Sequence, residues 1–145
     1  IKKKVCSLLD SGHVAERFEN MVSALGGPKD FLSTYKKVLP KTKYVIPVRA
    51  KKDGYITQID TKALGNILIK MGAGRLKASD KLNLSVGFTN VVKSNEKVNT
   101  RDALLFLHCP DKFLSPSLEE EINNCFSISD IGPTQFKNPV LQKVV

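Results

Sequence analysis

The sequence predicts an α+β chain, with helices first and a small β-rich module after them. Three observations carry that expectation. Apolar residues recur at spacings of three and four through the first forty positions. From about residue 43 the pattern shifts to short runs rich in β-branched and aromatic residues, or alternating with a period of two. Only two further helical patterns interrupt those runs.

The first helical pattern ends at Asp10 and Ser11, which are placed to cap the next. Val14, Phe18, Met21, Val22 and Leu25 then line one face of an amphipathic helix. Gly26 and Gly27 supply its stop, and Pro28 forbids continuation. A third helix is expected from Asp30 to Leu39, closed by Pro40. Lys43 to Ala50 reads as an edge strand, because Pro47 cannot donate to a ladder. Asp53-Gly54 is a turn signal before a short strand from Tyr55 to Ile59.

Asp60 can cap a helix with Ala63, Leu64, Ile67, Leu68 and Met71 on its apolar face. Gly72-Ala73-Gly74 breaks it. Leu82, Leu84, Val86 and Phe88 alternate with polar or small residues, so a half-buried strand is expected there. Further short strands are expected at Asn90 to Lys93, at Lys97-Val98 and at Ala103 to His108. Ser117 and Glu120 have capping-box spacing before a helix whose apolar face is Leu118, Ile122, Cys125 and Phe126. A last strand is expected from Pro139 to Val145.

Composition limits the possible functions. The 145 residues are 41% hydrophobic and 26% charged, enough for a packed core. Lysine or another polar residue interrupts every apolar run before the length a membrane helix needs, so no membrane partner is expected. No signal-peptide h-region is expected, and a chain that starts at Ile1 is expected to be processed, trimmed or partial. Cys6, Cys109 and Cys125 are odd in number and lack metal-ligand spacing; they suit reduced thiols in the cytoplasm. The net charge of +9 could attract nucleic acid. Most of it is dispersed lysine with few neighbouring aromatics, which fits a solvated surface better than a base-stacking one.

The stretch with most chemical character is Gly72-Ala73-Gly74-Arg75-Leu76-Lys77. Glycines let a backbone approach phosphate, and Arg75 and Lys77 could neutralise it. The stretch follows a helix rather than starting one, so the helix dipole is the wrong way round for an anion. A C-cap and exposed loop is the simpler reading. His13 and His108 have no nucleophile or carboxylate in a recognisable frame. Glu119 to Glu121 suit the first turn of a helix, and Cys109-Pro110 lacks a second thiol. No catalytic residue, metal site or cofactor is expected in this chain. Val91 to His108 resembles the turn-and-strand pattern of biotinyl/lipoyl-like barrel-sandwich modules, but no lysine stands at a hairpin tip to carry a swinging group.

Two stretches are more specific. Asp10-Ser11-Gly12 through Phe18, Met21-Val22 and Gly26-Gly27-Pro28-Lys29-Asp30-Phe31 resembles the last helical portion of the large domain of thymidine and pyrimidine-nucleoside phosphorylases. Gly54-Tyr55-Ile56, Asp60 to Gly65, Met71 to Arg75 and Ser85-Val86-Gly87-Phe88 is similar to that family's C-terminal domain. The resemblance covers residues 5 to 108 almost continuously.

It implies a helical remnant at 1–42 and an α/β-hammerhead, or barrel-sandwich hybrid, at 43–145. It also implies a parent glycosyltransferase in which phosphate attacks the anomeric carbon of thymidine or uridine and releases the base. The family's phosphate- and base-binding residues lie upstream of the matched portion, so this chain is expected to be inactive without the remainder of the parent enzyme. Gly72, Gly74, Arg75 and Lys77 fall on a family loop near the interdomain cleft, which is expected to order on closure. Asn95 and Arg101 stand where the family usually has glycine, and a change of turn type is expected there. A free-standing basic module for nucleic acid or another anion is the alternative. Helices severed from their sheet would expose Phe18, Met21 and Val22.

Overall fold

The computed structural model describes residues 1–110 and 115–132. The chain divides into two compact units, Ile1–Pro40 and the residues from Lys41 onward. The mixed helix and sheet content makes it an α+β protein. The strand expected at Pro139 to Val145 lies outside the described residues.

The first unit holds three helices: α1 (Lys2–Asp10), α2 (His13–Ala24) and α3 (Phe31–Val38). Ser11 ends α1, but neither it nor Asp10 caps α2. The cap position is Gly12, and it makes no side-chain bond. The Gly26-Gly27 stop forms as expected: Gly27 N–H donates to Val22 O at 2.9 Å, with Gly26 at φ 90. Phe18 and Phe31 stack α2 against α3 with ring centroids 6.0 Å apart. The Glu19 carboxylate accepts a bond from the Leu32 amide. No residue of this unit is buried. Phe18 and Met21 are exposed and Val22 half-buried.

The second unit carries two antiparallel three-stranded sheets. One has the order β1 (Tyr44–Arg49), β5 (Ala103–Cys109), β3 (Gly87–Thr89); the other is β4 (Lys97–Val98), β2 (Gly54–Ile59), β6 (Phe126–Ser129). Helix α4 (Thr61–Leu68) runs into a π-helical turn at Ile69–Ala73, and α5 (Pro116–Asn123) precedes β6. The edge position of β1 accommodates Pro47, which sits opposite Phe106. Among the described residues the largest fully buried side chains are Val48, Ile56, Ile67, Leu104, Leu105, Leu107 and Ile122. Leu104 and Leu105 are consecutive, so β5 is covered on both faces at that point. The Asp60 carboxylate accepts from the Ala63 amide at 2.8 Å and caps α4 as its position predicts.

Four expectations fail in the second unit. Leu82 to Phe88 is not a strand; only Gly87–Thr89 pairs, and Leu84 is 73% exposed. The alternation is present, but the Asn83 carboxamide accepts from both the amide and the hydroxyl of Ser85 and folds the segment into a local turn. Asn90 to Lys93 is also irregular: Asn90 has φ 50, and Val92 N–H donates to Leu104 O without forming a ladder. The α5 cap is Ser115 rather than Ser117. Its hydroxyl accepts from the Leu118 amide, and Pro116 takes the first helical turn. Phe126 is not on the α5 face; α5 ends at Asn123 and Phe126 opens β6 opposite Ile59.

The turns at Asn95 and Arg101, where a change of type was expected, have a left-handed backbone. Asn95 has φ 70 and Arg101 has φ 76. Asn tolerates this region, whereas Arg pays a steric cost there. The turn at Arg101 is held from outside. Arg101 N–H donates to Ala50 O at 2.9 Å, and Arg49 Nη1 donates to Arg101 O at 2.7 Å.

Candidate functional site

The segment from Gly72 to Asn83 gathers the candidate residues. The π-helical turn delivers the chain out of α4, and Gly72 adopts φ 90 inside it, a conformation that suits glycine. Gly74 is required for space. A Cβ there would lie 2.5 Å from Ile69 Cγ1 and 3.3 Å from the Ile69 Cα. Asn83 N–H donates to Gly72 O at 2.8 Å. That bond brings the two ends of the segment together as a closed loop, in the manner of an Ω-loop.

Asp80 organises the interior of the loop. Its Oδ2 accepts from the amides of Leu76 at 3.0 Å and Lys77 at 2.8 Å. Asp80 N–H in turn donates to Lys77 O at 3.0 Å. Arg75, Leu76 and Lys77 are exposed. Gly72, Gly74, Arg75 and Lys77 lie on this loop, as their adjacency in the sequence requires.

One ion pair adjoins the loop. Lys70, on the π-helical turn, forms an ion pair with Glu121 of α5. This ties the root of the loop to a helix about fifty positions later in the chain. An open pocket beside the loop is lined by Ala63, Asn66, Ile69, Lys70, Leu76 and Glu121. The pairing of Lys70 with Glu121 has no sequence signal, because nothing local specifies it. Asp80 had no such signal either: its carboxylate reaches back to amides three and four positions earlier, the reverse of the usual Asx turn.

The other reactive side chains are accounted for structurally. His13 is exposed, with its Nδ1 2.7 Å from the Ser11 hydroxyl. His108 lies on β5, with its Nε2 2.9 Å from Thr89 Oγ1 on β3. Cys125 is buried, and its thiol donates to Glu121 O at 3.3 Å. Burial pushes that thiol up from its ordinary pKa, and the carboxylates of Asp60 and Glu121 push the same way. It is a packing thiol rather than a nucleophile. No helix among the described residues is long and apolar enough to cross a membrane.

The second unit is a small α+β fold whose closed loop carries two exposed cationic residues, Arg75 and Lys77. The pyrimidine nucleoside phosphorylase C-terminal domain family matches residues 55–129, and the chain belongs to that family. Its similarity extends beyond that span. A thymidine phosphorylase from Colwellia psychrerythraea is 35% identical over 132 residues, which cover 91% of this chain. The chain spans about 30% of the length of that relative.

Proposed function

We propose that this chain serves as the C-terminal portion of a pyrimidine-nucleoside phosphorylase in the cytoplasm. The carrying observation is the family match across β2, α4, β3, β4, β5 and β6. The 35% identity to a thymidine phosphorylase over most of the chain supports the same reading. The reaction is phosphorolysis, a glycosyl transfer. Phosphate attacks the anomeric carbon of thymidine or uridine, the glycosidic bond breaks, and the base leaves as the sugar 1-phosphate forms. A protein promotes this by holding phosphate against the sugar and stabilising charge on the departing base.

In this reading residues 43–145 form an α/β-hammerhead, residues 1–42 are the last helices of a larger domain, and the partner is the remainder of the enzyme. The groups that bind phosphate and base belong to that remainder. The Gly72–Asn83 loop contributes a supporting contact through Arg75 and Lys77 when the cleft closes. A hybrid tests this. The matched segment of the Colwellia psychrerythraea thymidine phosphorylase is replaced by this chain, and thymine release from thymidine is followed in phosphate buffer. The expected result is turnover. A hybrid that folds as a single species but releases no thymine overturns the reading.

A further inference from the structure

We infer that Asp80 is a positioning residue, whose carboxylate holds the Gly72–Asn83 loop as a preformed unit that presents Arg75 and Lys77. The inference rests on the phosphorylase reading for what the loop is presented to, but the anchoring itself stands on geometry.

Four hydrogen bonds and one close approach define the unit. The backbone bond from Asn83 to Gly72 closes its ends. The two amide bonds from Leu76 and Lys77 converge on one Asp80 oxygen. The bond from Asp80 N–H to Lys77 O closes the tip against itself. At the root, the absence of a side chain at Gly74 lets the loop lie directly on Ile69.

A loop with exposed Arg75, Leu76 and Lys77 and no such anchor would sample many conformations, and binding would have to order them at an entropic cost. With two consecutive amides fixed on a carboxylate, the backbone that carries Arg75 and Lys77 is already set. The loop then needs to travel rather than fold. The resemblance implied a loop that orders on closure; the hydrogen bonds instead point to one that is ordered beforehand. Amides 76 and 77 also face an acceptor supplied by the chain itself. They are therefore not the groups that meet an incoming phosphate, and that role passes to the two cationic side chains.

The test has two arms. Amide hydrogen exchange at Leu76 and Lys77 is measured in this chain for wild type, Asp80→Ala and Asp80→Asn, with Leu105 in the central strand as reference. Asp80→Ala is expected to speed exchange at both loop amides by about tenfold or more, while Leu105 is unchanged. Asp80→Asn keeps a neutral acceptor and is expected to restore part of the protection. Unchanged exchange at 76 and 77 in Asp80→Ala overturns the inference, whatever the activity of any enzyme. So does a loss that extends equally to Leu105, since it makes Asp80 a general stability residue.

The second arm places Asp80→Ala in the hybrid phosphorylase. The expected result is a raised KM for phosphate with kcat largely kept, recovered in part by Asp80→Asn. An unchanged KM removes the positioning role even if the loop has loosened. A wild-type hybrid without turnover counts against the phosphorylase reading and leaves the exchange arm to decide on Asp80.

Discussion

The Asp53 carboxylate accepts two hydrogen bonds from one residue, Thr100, from its amide at 2.5 Å and from its hydroxyl at 2.6 Å. The partners are 47 positions apart, and the bonds clasp the β1–β2 turn to the loop before β5. The hydroxyl bond is the main cause holding the Asp53 carboxyl below its ordinary value of 3.8; the amide bond and the charge of Lys97 act in the same direction. A depressed folded pKa means that the unfolded chain binds more protons, so stability rises with pH through this range. The clasp contributes fully above 3.8 and is lost as pH falls through the lower folded value. Thr100→Val is expected to flatten the acid limb of the stability curve, read as urea midpoints between about pH 5 and pH 2. An acid limb as steep as that of wild type would show that the hydroxyl bond contributes nothing.

Arg101 sits in the same loop with φ 76. An L side chain in this region costs on the order of 1 kcal/mol. The bonds that hold the turn involve the Arg101 backbone, so they survive substitution. Arg101→Gly is therefore expected to raise stability by about 1 kcal/mol, less the extra freedom of glycine in the unfolded chain. Asn95→Gly, at φ 70, is expected to gain less because Asn tolerates the region. Urea denaturation of both variants checks the order.

Two glycines give opposite outcomes with alanine. Gly54 opens β2 at φ 145, and a Cβ there would lie 2.6 Å from Ser129 O on β6. Gly54→Ala must displace backbone and is expected to cost about 1–3 kcal/mol. Gly65 lies within α4, and a Cβ added there meets nothing within 4 Å. Gly65→Ala is expected to stabilise by about 0.5–1 kcal/mol through helix propensity. Thermal melts of the pair distinguish a packing constraint from a propensity gain.

Much of this architecture is legible from periodicity where burial and hydrogen bonding agree. β5 is one such element: its apolar run became the central strand of its sheet, with Leu104, Leu105 and Leu107 wholly buried. α4 is another, with Asp60 capping and Leu64 and Ile67 buried. The Leu82 to Phe88 alternation misleads because a period of two needs a partner strand, and side-chain bonds from Asn83 claim the backbone first. β6 is invisible locally. No glycine or proline separates it from α5, and its pairing with β2 joins segments about seventy positions apart. For the loop, the glycines and cations are apparent in the sequence, but the carboxylate that holds them needs the fold. The left-handed Arg101 defeats a propensity argument because external bonds to Ala50 and Arg49 fix the turn.

The two units are expected to differ in local stability. No residue of α1, α2 or α3 is buried, whereas β5 carries the core. Amides of the first forty residues are expected to exchange about a hundredfold or more faster than those of Leu104, Leu105 and Leu107. Equal protection in both would mean that the helices find a cover, such as a second copy of the chain over Phe18 and Met21. Gel filtration across a range of concentrations identifies that case.

The proposed function has this C-terminal domain act only as part of a whole enzyme. The most direct measurement is thymine release from thymidine in phosphate by the isolated 145-residue chain. No release above the rate in buffer is expected. Turnover that scales with chain concentration and survives purification to a single species would contradict it.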